Sequence, residues 1–246
     1  GKVSLGDVAW LEIMGSLPTS DQSVLFNAMM VTMVEHGMTP NAIAARMTYL
    51  GAPESLNGAV AAGLCGLGTV FAGTAEGAAR LLQEALAGAG SEPDLPGLAA
   101  RIVTDARAKK AQIPGLGHPL HKPIDPRTPR LFALAREQGR FGNHCRLMEL
   151  VAAEAERVSG KSLPVNATGA IGAIASELGI DWRLCRGIAV MGRAVVENIV
   201  ARRRCRLRIV RRHRAVGSLG RRHADHWDGP PVARQASGTR SPGGIV

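Results

Sequence analysis

A chain whose hydrophobic residues are nearly all aliphatic or small can fill a core only by bringing backbones close together, which helices with Ala and Gly faces do well. Here 46% of the residues are hydrophobic and 3% are aromatic. The 246 residues suffice for one sizeable core, or for a large and a small domain sharing a cleft. Periodicity agrees with helices. After Ser20-Asp21, a plausible N-cap, Leu25, Phe26, Met29, Met30 and Met33 recur at i, i+3, i+4 spacing and predict a core-facing helix closed by His36-Gly37. Thr39-Pro40 opens another in the N-cap and N1 positions, running through Ala42, Ile43, Met47 and Leu50 to Gly51. Further helices are expected over 73–88, 97–112, 131–135, 144–158, 167–178 and 184–195. No β-branched alternation is sustained, so the expected fold class is all-α.

Residues 55–75 carry no charge for 21 residues. Gly58, Gly63, Gly66, Gly68 and Gly73, with few Leu, Ile or Phe, argue against a lipid-facing span and for a buried, glycine-lined helix. GLGTVFAG within it is a weak nucleotide-loop signal, since no β-rich run precedes it and its third glycine is displaced.

The net charge of +10 is unevenly placed. Residues 196–246 hold twelve arginines, no lysine and three acids, Glu197, Asp225 and Asp228, so the remaining 195 residues are close to neutral at +1. Arginine without lysine suggests GC-rich codons read in another frame, and the basic stretch 201–246 is expected to be disordered. Nucleic acid is not an expected partner, because Trp227 is the tail's one stacking aromatic. Cys65, Cys145, Cys185 and Cys205 form no C-x-x-C pair, which speaks against a zinc ribbon or redox dithiol. GKVSLGDVAW lacks the basic start and apolar run of a signal peptide, so a cytoplasmic location and no membrane partner are expected. It also lacks an initiator Met, as a fragment would.

The chemistry-bearing stretch is PGLGHPLHKPIDPRTPR, residues 114–130, a Gly- and Pro-rich loop between helices where exposed backbone and polar side chains can meet a ligand. His118 could act as a general acid or base, because an imidazole titrates near neutrality. Arg127 could clamp a carboxylate through its two-pronged guanidinium. The bland alternative is a surface histidine beside an Asp125-Pro126-Arg127 helix cap.

GLGHPLHKPIDPR resembles the G-x-G-H block of the citrate synthase family, with the arginine of its D-P-R nine residues after the histidine. Four more segments are similar in order: MVEHGMTPNAIAARM to the D-H-E segment, GLCGLGTVFAGTAEG to G-P-L-H-G-G-A-N, LPVNATGAIGAI to N-V-D-G-A, and MGRAVV to the late S-R-A-L-G helix. The set covers about 160 residues and points within the family to the shorter members related to citryl-CoA lyase. The resemblance implies a mostly helical homodimer with its site between large and small domains: 1–72 and 185–200 in the large domain, 73–184 in the small one, and the family's earlier N-terminal helices missing.

By the same resemblance His36, Arg127 and Arg193 would hold the carboxylates of oxaloacetate or its citryl adduct, and His118 would face the oxaloacetate carbonyl oxygen. No cofactor is expected to be bound permanently. Coenzyme A enters as an acyl-CoA thioester substrate, with Gly115, Leu116 and Gly117 offering backbone contacts and His121 and Lys122 meeting its phosphates. Two positions depart from the family. Ala72 stands where the thioester-polarising histidine is expected, and Thr168 where the catalytic aspartate is. Neither can do the same chemistry, with Glu76 and Asn166 the nearest polar substitutes. Abstracting a methyl proton from acetyl-CoA therefore lacks its base, whereas cleavage begins with removal of a hydroxyl proton, which His118 can perform. The expected activity is thus cleavage of citryl-CoA to acetyl-CoA and oxaloacetate. The alternatives are condensation of acetyl-CoA with oxaloacetate and an impaired relative that only binds CoA esters.

Overall fold

The computed structural model describes residues 2–34, 37–118 and 123–202. His36, His121, Lys122 and the basic tail from residue 203 lie outside the described residues, and with them the expectations made for these positions. Among the described residues there are ten helices and no strand. The one extended pairing is an isolated antiparallel bridge, Leu116 with Val165. The all-α expectation is met.

Helix α1 (Leu5–Met14) is absent from the sequence reading above, although its start is encoded: Ser4 accepts from the Asp7 N–H and Asp7 accepts from the Ser4 N–H, a reciprocal capping box. Its Trp10 is buried edge-on against Phe26 of α2 (Ser20–Val34), with centroids 5.4 Å apart. The cap of α2 sits one residue earlier than expected, because Thr19, not Ser20, stands before the first turn and donates its N–H to Gln22. Next come α3 (Pro40–Gly51) and α4 (Leu56–Cys65). The single buried helix expected over 55–75 is thus corrected. It ends at Cys65, buries Ala59 and Gly63, and gives way at Gly66 to turns running to Gly73.

The remaining helices are α5 (Thr74–Leu86), α6 (Leu95–Ala108), α7 (Arg127–Glu137), α8 (Asn143–Ser159), α9 (Ala167–Glu177) and α10 (Trp182–Arg202). Helix α9 is buried on nearly all sides, from Ala167 to Ser176 except Thr168. Close packing is possible because its neighbour α5 presents Ala75, Ala78, Ala79 and Leu82 at helical spacing. A Cβ on Gly172 of α9 would lie 2.7 Å from the Ala75 carbonyl oxygen, so only glycine lets the two backbones meet. The low aromatic content is resolved in this way, by backbone proximity instead of ring volume. Helix α10 packs across α2, α3, α4 and α5 and carries Arg193.

Candidate active site

The D-P-R segment sets up the first anchor. Asp125 is fully buried, and its carboxylate accepts from Arg127 Nε at 3.0 Å, from Arg127 Nη2 at 2.8 Å and from the Ala167 N–H at 2.9 Å. It also accepts the Arg127 backbone N–H at 3.1 Å, and so caps α7. Burial alone would raise the Asp125 carboxyl, but the Arg127 guanidinium and the two backbone donors outweigh it and hold the group at about 2. The helix-cap reading is thus met at Asp125. One edge of the Arg127 fork is committed to Asp125 within the protein, and the side chain remains 28% exposed toward the cleft.

The G-x-G-H loop is fixed by the segment that precedes α9. Gly117 N–H donates to Pro164 O at 2.8 Å and Asn166 N–H to Gly115 O at 2.9 Å. Asn166 then serves twice: Nδ2 donates to Gly117 O at 2.7 Å, and Oδ1 accepts from Gly169 N–H at 3.0 Å as the N-cap of α9. Thr168 Oγ1 donates to the same Oδ1 at 2.7 Å. Gly115 is held at φ 87°, and a Cβ there would lie 2.6 Å from Gly169 Cα. Most of the backbone polar groups of Gly115 and Gly117 are thus spent inside the fold. The glycines are required first for the turn and the close approach.

These elements open on one cleft of about 1560 Å³. His118, Arg127 and Arg193 line it together, as do Gly115, Leu116 and Gly117. Ala72, Asn166 and Thr168, the departures and one proposed substitute, line it as well. Arg193 is 4% exposed, donates Nη1 to Val34 O at the end of α2 (3.3 Å), and lies 5.9 Å from the Phe71 ring centroid. Glu76, the other proposed substitute, is engaged elsewhere: its Oε2 is 2.6 Å from Arg186 Nε. Two cations the sequence reading missed, Arg107 and Lys161, stand on the cleft wall beside apolar Val103, Val158 and Leu163. No local motif marks them, since they come from the ends of α6 and α8, distant in sequence.

The family model described as the citrate synthase C-terminal domain matches residues 8–198. The chain belongs to the citrate synthase family. Among solved structures it is similar to citryl-CoA lyase from Hydrogenobacter thermophilus, at 40% identity and a TM-score of 0.74, covering 82% of this chain and 76% of that one. It shares the fold of ATP citrate lyase from Methanothrix soehngenii, solved in complex with citrate and coenzyme A, at 23% identity and a TM-score of 0.65. That match covers 80% of this chain and 33% of the other. Citrate synthase from Thermotoga maritima matches at 19% identity and a TM-score of 0.64, over 80% of this chain and 53% of that one. No curated protein sequence matches the chain significantly. Among the described residues no helix is long and apolar enough to cross a membrane.

Proposed function

We propose that the protein cleaves citryl-CoA, or a close 3-hydroxyacyl-CoA analogue, to an acyl-CoA and oxaloacetate. The observation that carries this reading is the gathering of His118, Arg127 and Arg193 on one cleft in a chain 40% identical to a citryl-CoA lyase. In the proposed reaction His118 takes the proton of the tertiary hydroxyl. The carbinol carbon becomes the oxaloacetate carbonyl as its bond to the thioester-bearing methylene breaks, and the electron pair moves onto the thioester as an enolate. Protonation of that enolate at carbon yields the acyl-CoA. Arg127 and Arg193 bind the carboxylates of the departing oxaloacetate, with Asp125 orienting the Arg127 fork so that its Nη1 edge meets substrate.

Coenzyme A fits the reading as a substrate that comes and goes. Its phosphates suit Arg107 and Lys161, and its apolar portions suit the wall formed by Val103, Val158 and Leu163. Gly115, Leu116, Gly117 and Lys122 stay in the proposal as further contacts, as does His36 for a carboxylate. The proposal keeps the division into 1–72, 73–184 and 185–200, a cytoplasmic setting and a homodimer. The homodimer is supported by exposed apolar side chains on α1 to α3, among them Leu5 (78%), Val31 (71%) and Met47 (61%). Cleavage is preferred to condensation because of the 40% identity to a citryl-CoA lyase; the donor missing at Ala72 and the carboxylate missing at Thr168 affect the shared enolate in both directions.

The test is release of oxaloacetate from citryl-CoA by the purified chain. His118→Ala is expected to lower turnover by about 10²- to 10⁴-fold with an unchanged melting temperature. Full turnover in that variant would sink the assignment.

A further inference from the structure

The residue before His118 is held at both of its backbone polar groups by one neighbouring segment. Gly117 N–H donates to Pro164 O at 2.8 Å, and Gly117 O accepts from Asn166 Nδ2 at 2.7 Å. The Gly117 carbonyl lies in the peptide plane that ends at the His118 Cα, so the Asn166 amide sets the direction from which the imidazole leaves the chain. Gly117, at φ 70°, imposes little of its own on that plane, because glycine turns freely.

Capping α9 does not require this arrangement. The cap needs only an oxygen for Gly169 N–H, which Asn166 Oδ1 accepts at 3.0 Å, and aspartate serves about as well as asparagine in that position. Two further bonds are surplus to the cap: Nδ2 to Gly117 O, which only the amide can make, and Thr168 Oγ1 to Asn166 Oδ1 at 2.7 Å. The second orients the first. With Gly169 N–H and the Thr168 hydroxyl both on Oδ1, a reversed amide would set Nδ2 against two donors and Oδ1 against the Gly117 carbonyl oxygen. A carboxylate at position 168 has no proton to donate and would compete with Gly117 O for Nδ2. Thr168 is also the one residue from 167 to 176 that is not buried, and it lines the cleft with Asn166 and His118.

We propose that Thr168 and Asn166 are positioning residues for His118. The Thr168 hydroxyl locks the Asn166 amide, the amide clamps the peptide between Gly117 and His118, and the imidazole is thereby aimed at the substrate hydroxyl. The position where an aspartate base is expected thus serves the base that remains, through two hydrogen bonds instead of a proton transfer of its own. The inference rests on the proposed role of His118, so the experiment includes a readout that needs no substrate.

In the full chain, Thr168→Val removes the hydroxyl at nearly constant shape, Thr168→Ser keeps it, and Asn166→Asp keeps the cap while losing the donor to Gly117 O. In oxaloacetate release from citryl-CoA, Asn166→Asp is expected to lower kcat about 10²-fold and Thr168→Val about tenfold, with KM within about twofold. Thr168→Ser is expected to retain turnover within about twofold. Thr168→Val combined with Asn166→Asp is expected to fall no further than Asn166→Asp alone, because the hydroxyl acts through the amide. Melting temperatures are expected to stay within about 4 °C of the parent throughout. Without substrate, the His118 imidazole resonances of nitrogen-15-labelled protein, assigned by their loss in His118→Ala, are expected to move in Thr168→Val and to stay in place in Thr168→Ser. Equal turnover in Thr168→Val and Thr168→Ser, additive losses in the double variant, or losses that track a falling melting temperature would overturn the positioning role. In a chain that does not turn over citryl-CoA, resonances that move as stated would support the positioning and count against the proposed function, and unmoved resonances would overturn both.

Discussion

The loop carrying His118 and the loop carrying Ala72 line the same cleft, yet the first is stitched to a neighbouring segment while the second is held chiefly by its own turns. Gly115 to His118 is tied to residues 164–166 through two backbone bonds and the Asn166 side chain, and Thr128 Oγ1 pins Val165 O at 2.9 Å behind it. Leu67 to Gly73 relies on local bonds such as Ala72 N–H to Gly68 O at 2.9 Å, with Arg186 Nη2 reaching Thr69 Oγ1 at 3.2 Å, and it leaves Val70 97% exposed. His118 stands on the stitched wall and Ala72 on the other, while Thr168 belongs to the segment that does the stitching. Proton transfer and bidentate carboxylate binding need atoms fixed to a fraction of an ångström, which a cross-linked loop can provide.

The comparison breaks most visibly at Gly115. Gly115→Val puts a branched side chain at positive φ and against Gly169, and is expected to cost about 3–5 kcal/mol, enough to unfold a chain of ordinary stability. Circular dichroism and soluble yield would register it, and a near-native melting temperature would mean that the stitched loop is not a structural linchpin.

Asp125→Asn should act less strongly and in a pH-dependent way. The folded carboxyl is held at about 2, below its unfolded value near 4, so its contribution is complete above about pH 4 and is lost as pH falls through about 2. Near pH 7 the variant is expected to lose about 2 kcal/mol in urea unfolding, with the gap to the parent protein closing toward pH 2. A gap that persists at low pH would show that shape, not charge, is what Asp125 contributes.

The smallest effect is expected on the second wall. Thr69→Ala removes one hydrogen bond to Arg186 and should cost less than about 1 kcal/mol, leaving citryl-CoA turnover within about twofold. A loss of activity comparable to that of His118→Ala would show that this loop also carries chemistry, and the contrast between the walls would fall.

Much of this was legible in the linear chain. Helix periodicity, the low aromatic content and the ordered family segments fixed the all-α class, and the nine-residue spacing singled out His118 and Arg127. Helix α1 escaped because its capping box uses Asp where the stronger signal has Glu or Gln. The stretch 55–75 was misread as one helix because uncharged, glycine-rich composition does not distinguish a packed helix from a turn. Arg107 and Lys161 escaped because adjacency between the ends of α6 and α8 has no local signature.

Sequence alone determined which side chains could do chemistry, because residue type and short-range spacing are local properties. It also exposed Ala72 and Thr168 as departures, since a missing functional group is visible without coordinates. Only the tertiary structure decided what each of those side chains is spent on. Asn166, offered as a catalytic substitute, is committed to capping α9 and clamping Gly117; Glu76 is committed to Arg186; Glu197, an ordinary acid in the sequence, is fully buried beside Asn41. Hydrogen-bond capacity is finite and burial is a property of the whole packing, so neither can be assigned until every neighbour is in place.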